Sequence, residues 1–154
     1  MKYAGMIILI ISSTSLGLIL SDRLKQKVTV CRELSSLCDM LYIDLGYTVT
    51  PITQLISKLL LDERLSNLSF ISSENIKSKK PIESCLSSSD NAEISRFLYS
   101  LGKSDINSQI KLIRGFKEYI NSVEAEYHAS FIKNSKLYIS FGFFGGVVIS
   151  LILL

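Results

Sequence analysis

The sequence holds one histidine, three cysteines, two prolines and no tryptophan among 154 residues. His128 has no second histidine to share a metal and no supported serine or cysteine partner, so the usual parts of acid–base and nucleophilic catalysis are missing. Cys31 and Cys38 stand seven positions apart on one helical face, and Cys85 is distant. Zinc-type spacings are therefore absent, and an apolar core role, with the thiols reduced, is expected. No segment alternates apolar and polar residues over the length of a strand, which leaves an all-helical protein. Neither an enzymatic activity nor a cofactor is expected. The net charge of +3 is small and gives no reason to expect a nucleic-acid partner.

Charge is scarcest at the two ends. Tyr3–Leu20 (YAGMIILIISSTSLGLIL) carries none, and Leu137–Leu154 carries none after Lys136. Each run is roughly eighteen residues, at the lower end of what crosses a bilayer. A mean hydropathy of +0.33 beside 20% charged residues fits grease collected at the ends of a solvated middle. The expected organisation is a membrane helix over 1–20, a helical domain over 21–136 and a second membrane helix over 137–154. Arg23, Lys25, Lys27 and Arg32 follow the first run, and Lys133 and Lys136 precede the second. Both basic flanks lie on the side of the central domain, so the positive-inside rule places that domain in the cytoplasm and both termini outside. A cleaved signal peptide is the competing reading of the first run, but no A-x-A-like site follows and the charges beyond it oppose export.

Along the chain, Leu24, Val28, Cys31, Leu34, Cys38, Leu41 and Leu45 form a stripe that continues the first run as one helix, with Gly46 as its expected stop. Thr50-Pro51 offers a capping hydroxyl and a proline at the first helical position, opening a helix with Ile52, Leu55, Ile56, Leu59 and Leu60 inward. Ser66 to Lys80 predicts a further helix, and Pro81 starts a short one over PIESCLSS. The run SSSDN predicts a loop, with Asp90 and Glu93 as the capping box of a helix that buries Ile94, Phe97, Leu98 and Leu101 and stops at Gly102. Ser104 is expected to cap the last helix, which carries Ile106, Ile110, Ile113, Phe116, Ile120, Val123, Tyr127 and Phe131 at helical spacing and passes unbroken into the second run. The soluble part is expected to be an antiparallel bundle of five or six helices.

The corner LGKSDINSQ concentrates polar residues. Gly102-Lys103-Ser104 is no phosphate loop: the motif needs glycine at position 97, where Phe97 stands, and a strand ahead of it. A helix–turn–helix corner explains Gly102, Ser104 and Asp105 and leaves Gln109 unexplained. Asp44, Asp105 and Gln109 form either a docking surface or an internal cap network. The clusters Asp62-Glu63-Arg64 and Lys77, Lys79, Lys80 read as solvated faces. In the apolar runs, Ser13 with Gly17 and Gly142 with Gly146 are small-xxx-small steps: either the membrane helices pack there against each other or a second copy, or the glycines are merely tolerated in lipid.

Leu101-Gly102-x-Ser104-Asp105-x-x-x-Gln109, followed by Asn134-x-Lys136-Leu137-Tyr138 and a glycine-bearing terminal run, resembles the stage III sporulation protein AB family of endospore-forming bacteria. Leu41-Tyr42-Ile43-Asp44 before Thr50-Pro51-Ile52 is similar to that family too, although its acid is more often Glu. The resemblance covers essentially the whole chain, while the serine-rich middle from Ser66 to Asn91 matches poorly. It implies a component of the channel-like apparatus between mother cell and forespore, in the mother-cell membrane. It also implies a soluble domain similar to the cytoplasmic domain of the type II secretion F protein. The implied partners are a secretion-type ATPase, the stage III sporulation protein AA, and sibling subunits, with self-association allowed. The competing class is a small membrane-anchored regulator or tether unrelated to transport.

Overall fold

The computed structural model describes residues 2–47 and 52–152, which form helices and turns with no strand among them. In order these are α1 (Lys2–Tyr47), α2 (Ile52–Leu59), a 3₁₀ helix (Glu63–Leu68), α3 (Ser73–Ser78), α4 (Ser88–Ser100) and α5 (Ile106–Ile152). The two longest run 46 and 47 residues without interruption. Nothing in their sequences removes a backbone donor, because neither contains proline. α1 passes through Gly46 to Tyr47 instead of stopping at the glycine. Thr50 and Pro51 lie outside the described residues. Among the described residues no helix is long and apolar enough to cross a membrane. The two apolar runs each extend into residues whose side chains lie outside that description.

The chain divides into two compact units, residues 1–28 with 125–154, and residues 29–124. In the first, the α1 and α5 segments run antiparallel: Ser13 meets Gly142, Gly17 meets Tyr138, and Lys27 Nζ stands 4.9 Å from the centre of the Tyr127 ring. In the second, α1 and α5 are again antiparallel. Arg32 pairs with Glu124 at 2.8 Å, Ser35 Oγ donates to Asn121 Oδ1 at 2.9 Å, and Lys117 Nζ donates to Asp39 Oδ1 at 2.6 Å.

The core of the second unit draws on every helix. Leu34, Leu37 and Leu41 of α1, Ile56 of α2, Leu65 and Leu68 of the 3₁₀ helix, Ile94 and Leu98 of α4, and Ile113 and Ile120 of α5 are all fully buried. The expected α1 stripe is buried from Val28 to Leu41, and Val30 and Leu37 join it. That widens the apolar stripe beyond a single seam, as a helix covered on more than one side requires.

The serine-rich middle departs from expectation in three places. Ser66–Lys80 is not one helix: a 3₁₀ helix capped by Asp62, whose carboxylate accepts from the Arg64 N–H at 2.9 Å, precedes a two-turn α3 capped by Ser72. Lys79 ends α3 in a left-handed conformation, φ 50°. Pro81 opens no helix. Its neighbours' backbone groups are taken by α4 side chains instead: Ile82 N–H donates to Ser95 Oγ, Ser84 N–H to Asn91 Oδ1, and Tyr99 Oη donates to the Lys80 carbonyl. Finally, α4 begins at Ser88, so the predicted SSSDN loop supplies its cap and first turn.

Candidate functional site

The polar corner between α4 and α5 is built around Gln109. α4 ends at Ser100 with Leu101 extended (φ −63°, ψ 138°), and Gly102 follows at φ 78°, a region that favours residues without a Cβ. Gln109, on the first turns of α5, is 6% exposed. Its Oε1 accepts the Gly102 N–H at 3.3 Å and its Nε2 donates to the Ser104 carbonyl at 2.8 Å. Both ends of one amide therefore close the turn. The Gln109 that a simple corner leaves unexplained is the staple of the internal network.

Asp105, not Ser104, caps α5. Its Oδ2 accepts the Ser108 N–H at 3.1 Å, and its carbonyl accepts the Gln109 N–H at 3.0 Å. A carboxylate there satisfies an otherwise orphaned donor and faces the positive end of the helix. Hydrogen bonding from Ser108 holds the Asp105 carboxyl below the usual carboxylate range. Gly102, Ser104, Asp105 and Gln109 are thus brought into one turn. Asp44 stands on a different element, half-buried near the end of α1. Pro51 lies outside the described residues. Around this turn Lys103, Ser104 and Asp105 are exposed.

In the first unit, the small residues meet at backbone distance. Ser13 Oγ donates to the Gly142 carbonyl at 2.6 Å. A Cβ on Gly142 would stand 2.7 Å from the Ser13 carbonyl oxygen and 3.5 Å from the Gly17 Cα. A Cβ on Gly17 would stand 2.5 Å from the Tyr138 carbonyl oxygen. Gly146 is buried as well. Backbones this close leave no room for a methyl group, the geometry of small-residue helix packing.

Two buried carboxylates carry structure, and motif reading singles out only one of them, Asp90. Glu33, 8% exposed on α1, accepts from both the backbone and the side-chain N–H groups of Asn67 and so ties α1 to the 3₁₀ helix. Asp90, 7% exposed, accepts from Ser87 Oγ at 2.6 Å and from Tyr119 Oη at 2.8 Å. Ser87 is the cap and Asp90 stands three residues after it, so the box expected at Asp90 and Glu93 is shifted back by three positions. The only signal in the sequence for Glu33 is an acid on the edge of an apolar stripe. Burial pushes the Cys31 thiol up to about 12, helped by Asp90, and burial does the same for Cys38, so neither is a reactive thiolate. No group of acidic, histidine or cysteine residues able to hold a metal ion is found among the described residues.

One family model matches, described as stage III sporulation protein AB, over residues 2–81 and 57–154, so that it spans the chain and overlaps itself in the serine-rich middle. No curated protein and no solved structure matches the chain.

Proposed function

The chain belongs to the stage III sporulation protein AB family, and from that premise we propose that it is a non-enzymatic assembly platform of the stage III apparatus. It sits in the mother-cell membrane around the forespore as a two-pass protein, its helical domain in the cytoplasm and both termini outside. The domain docks a secretion-type ATPase and sibling subunits.

The observation that supports this most strongly is the antiparallel pairing of the apolar ends through Ser13, Gly17 and Gly142. Large apolar residues on both partners point away from that contact, among them Ile8, Leu16, Phe141 and Phe144, each more than 60% exposed. A pair that spends its small residues on itself and turns its large ones outward suits a lipid surroundings, where packing and not the hydrophobic effect joins helices. Antiparallel order of the two paired segments supports a hairpin, as do the basic flanks at Arg23–Arg32 and Lys133–Lys136.

Reporter fusions at both termini and near Ser88 test the topology, and an external signal at Ser88 overturns it. Affinity purification of the full chain from sporulating cells tests the platform: co-purification of the ATPase is expected, and its reproducible absence counts against docking. For the corner as a contact, Lys103→Glu is the cleaner probe than any change at Asp105. Lys103 takes no part in the cap, so lost partner binding would come with unchanged helicity.

A further inference from the structure

An open groove of about 560 Å³ runs between α4 and α5 in the second unit, lined by Phe97, Leu112, Gly115, Phe116, Glu93 and Lys111 among others. The two helices are antiparallel here, since Phe97 stacks on Phe116 with ring centroids 3.9 Å apart while Asp90 bonds Tyr119 further along. The α4 wall is Glu93, Arg96, Phe97 and Ser100, the three-and-four spacing of one helical face, and the α5 wall repeats every fourth residue at Lys111, Gly115 and Tyr119. The trough is therefore parallel to both axes and about 10 Å long at 1.5 Å per residue. Its floor is the stacked phenylalanine pair. This is the shape of a seat between two packed helices that a third helix fills, ridge into groove.

Two residues say what fits. Gly115 lies in the interior of a 47-residue helix, where glycine costs about 1 kcal/mol relative to alanine. Yet nothing stands within 4 Å of the Cβ it lacks, so no neighbour inside this chain requires the small residue. Its missing side chain keeps the groove open for close approach from outside. Lys111 is exposed at the rim and has no ion pair among the described residues, whereas Arg96 is held by Glu93 at 2.6 Å. The uncompensated charge at the mouth is positive.

We infer that this groove is a docking site for an amphipathic helix of another protein, its apolar stripe laid over Leu112 and Gly115 above the buried Phe97–Phe116 pair and an acidic residue beside Lys111. A second copy of this chain fits less well. Among the described residues of 29–124 the exposed large apolar ones are Tyr42, Ile43, Leu61 and Ile106, no two of which sit at helical spacing on one helix. The apolar faces of the other unit carry no acid within either run. The inference stands independently of whether the ATPase is the partner.

The test uses the full chain in sporulating cells, with a photo-crosslinking amino acid at Ser100 on the groove wall and the crosslinked segment mapped by mass spectrometry. The expected adduct is with a segment of another protein that carries apolar residues at three-and-four spacing and Asp or Glu on its flank. Lys111→Glu and Gly115→Leu should each lower its yield about tenfold, the scale of one lost charge pair or one filled contact. Gly115→Ala should lower the yield by a smaller factor, about threefold, because a methyl group narrows the trough without filling it. Thermal melts of the purified variants separate loss of binding from loss of fold. No adduct, an adduct with a second copy or lipid, a mapped segment without the helical pattern, or equal yields from Gly115→Leu and Gly115→Ala overturns the proposal.

Discussion

The two units bring together segments of the same two helices by opposite means. In residues 1–28 and 125–154 contact depends on side chains that are not there: Gly17 and Gly142 let backbone carbonyls approach where a methyl group would collide. In residues 29–124 contact depends on side chains that are: a core of leucines and isoleucines, fastened by Glu33, Asp90 and Gln109. The first arrangement needs no apolar-from-water driving force, and the second is what such a force produces. One antiparallel pairing of α1 with α5 thus serves in both settings with different residues at the seam.

The sharpest way to break that contrast is at the core. Ile94→Ala, at a position of 0% exposure, should cost about 2–5 kcal/mol, read as a fall in the denaturant midpoint of the domain's unfolding. Phe144→Ala in the other unit, 63% exposed, removes more atoms and should leave that midpoint within about 0.5 kcal/mol. Next comes one substitution made in both places. Gly142→Ala forces a Cβ to 2.7 Å from a backbone oxygen and should cost about 1–3 kcal/mol, seen as loss of an engineered crosslink between the paired segments. Gly115→Ala meets nothing and should stabilise the domain by up to about 1 kcal/mol in a thermal melt. If both substitutions move stability the same way, the distinction between the units fails.

Smaller effects follow at the caps and thiols. Asp105→Ala should lower the midpoint of chemical denaturation by less than any of the losses above. Because Asp105 is held below the ordinary carboxylate range in the folded state, its contribution is present at neutral pH and lost as pH falls through that depressed value, a dependence Asp105→Asn should flatten. The cysteines run the other way. Cys31 and Cys38 titrate near 12 folded against 9.0 ordinarily, so their contribution is complete below about pH 9 and lost as pH rises toward 12. At pH 8 a thiol reagent should modify half-buried Cys85 well before either of them in the native protein.

These elements also mark what the residues announce by themselves. The long helices, their buried stripes and the left-handed Gly102 follow from periodicity and from the one residue without a Cβ. The caps were displaced by one to three positions for a physical reason. Ser87, Ser88, Ser89 and Asp90 can all cap, and only the burial of Asp90 against Tyr119, twenty-nine residues on, decides among them. Ser104 and Asp105 compete likewise, and the Gln109 amide settles the matter by taking the Ser104 carbonyl. Pro81 signals a helix start by its own geometry. Ser95, Asn91 and Tyr99 claim the neighbouring backbone groups first, and that capture is tertiary, so no local pattern carries it.

The contact at Gly17 and Gly142 has a genetic consequence. A side chain too large for the core of residues 29–124 can be accommodated by shrinking a neighbour, so compensating mutations at facing positions are available there. At Gly142 the obstacle is the main-chain oxygen of Ser13, which every amino acid possesses. Suppressors of a Gly142 substitution should therefore be scarce at the facing residues and should arise, if at all, in changes that move a whole helix.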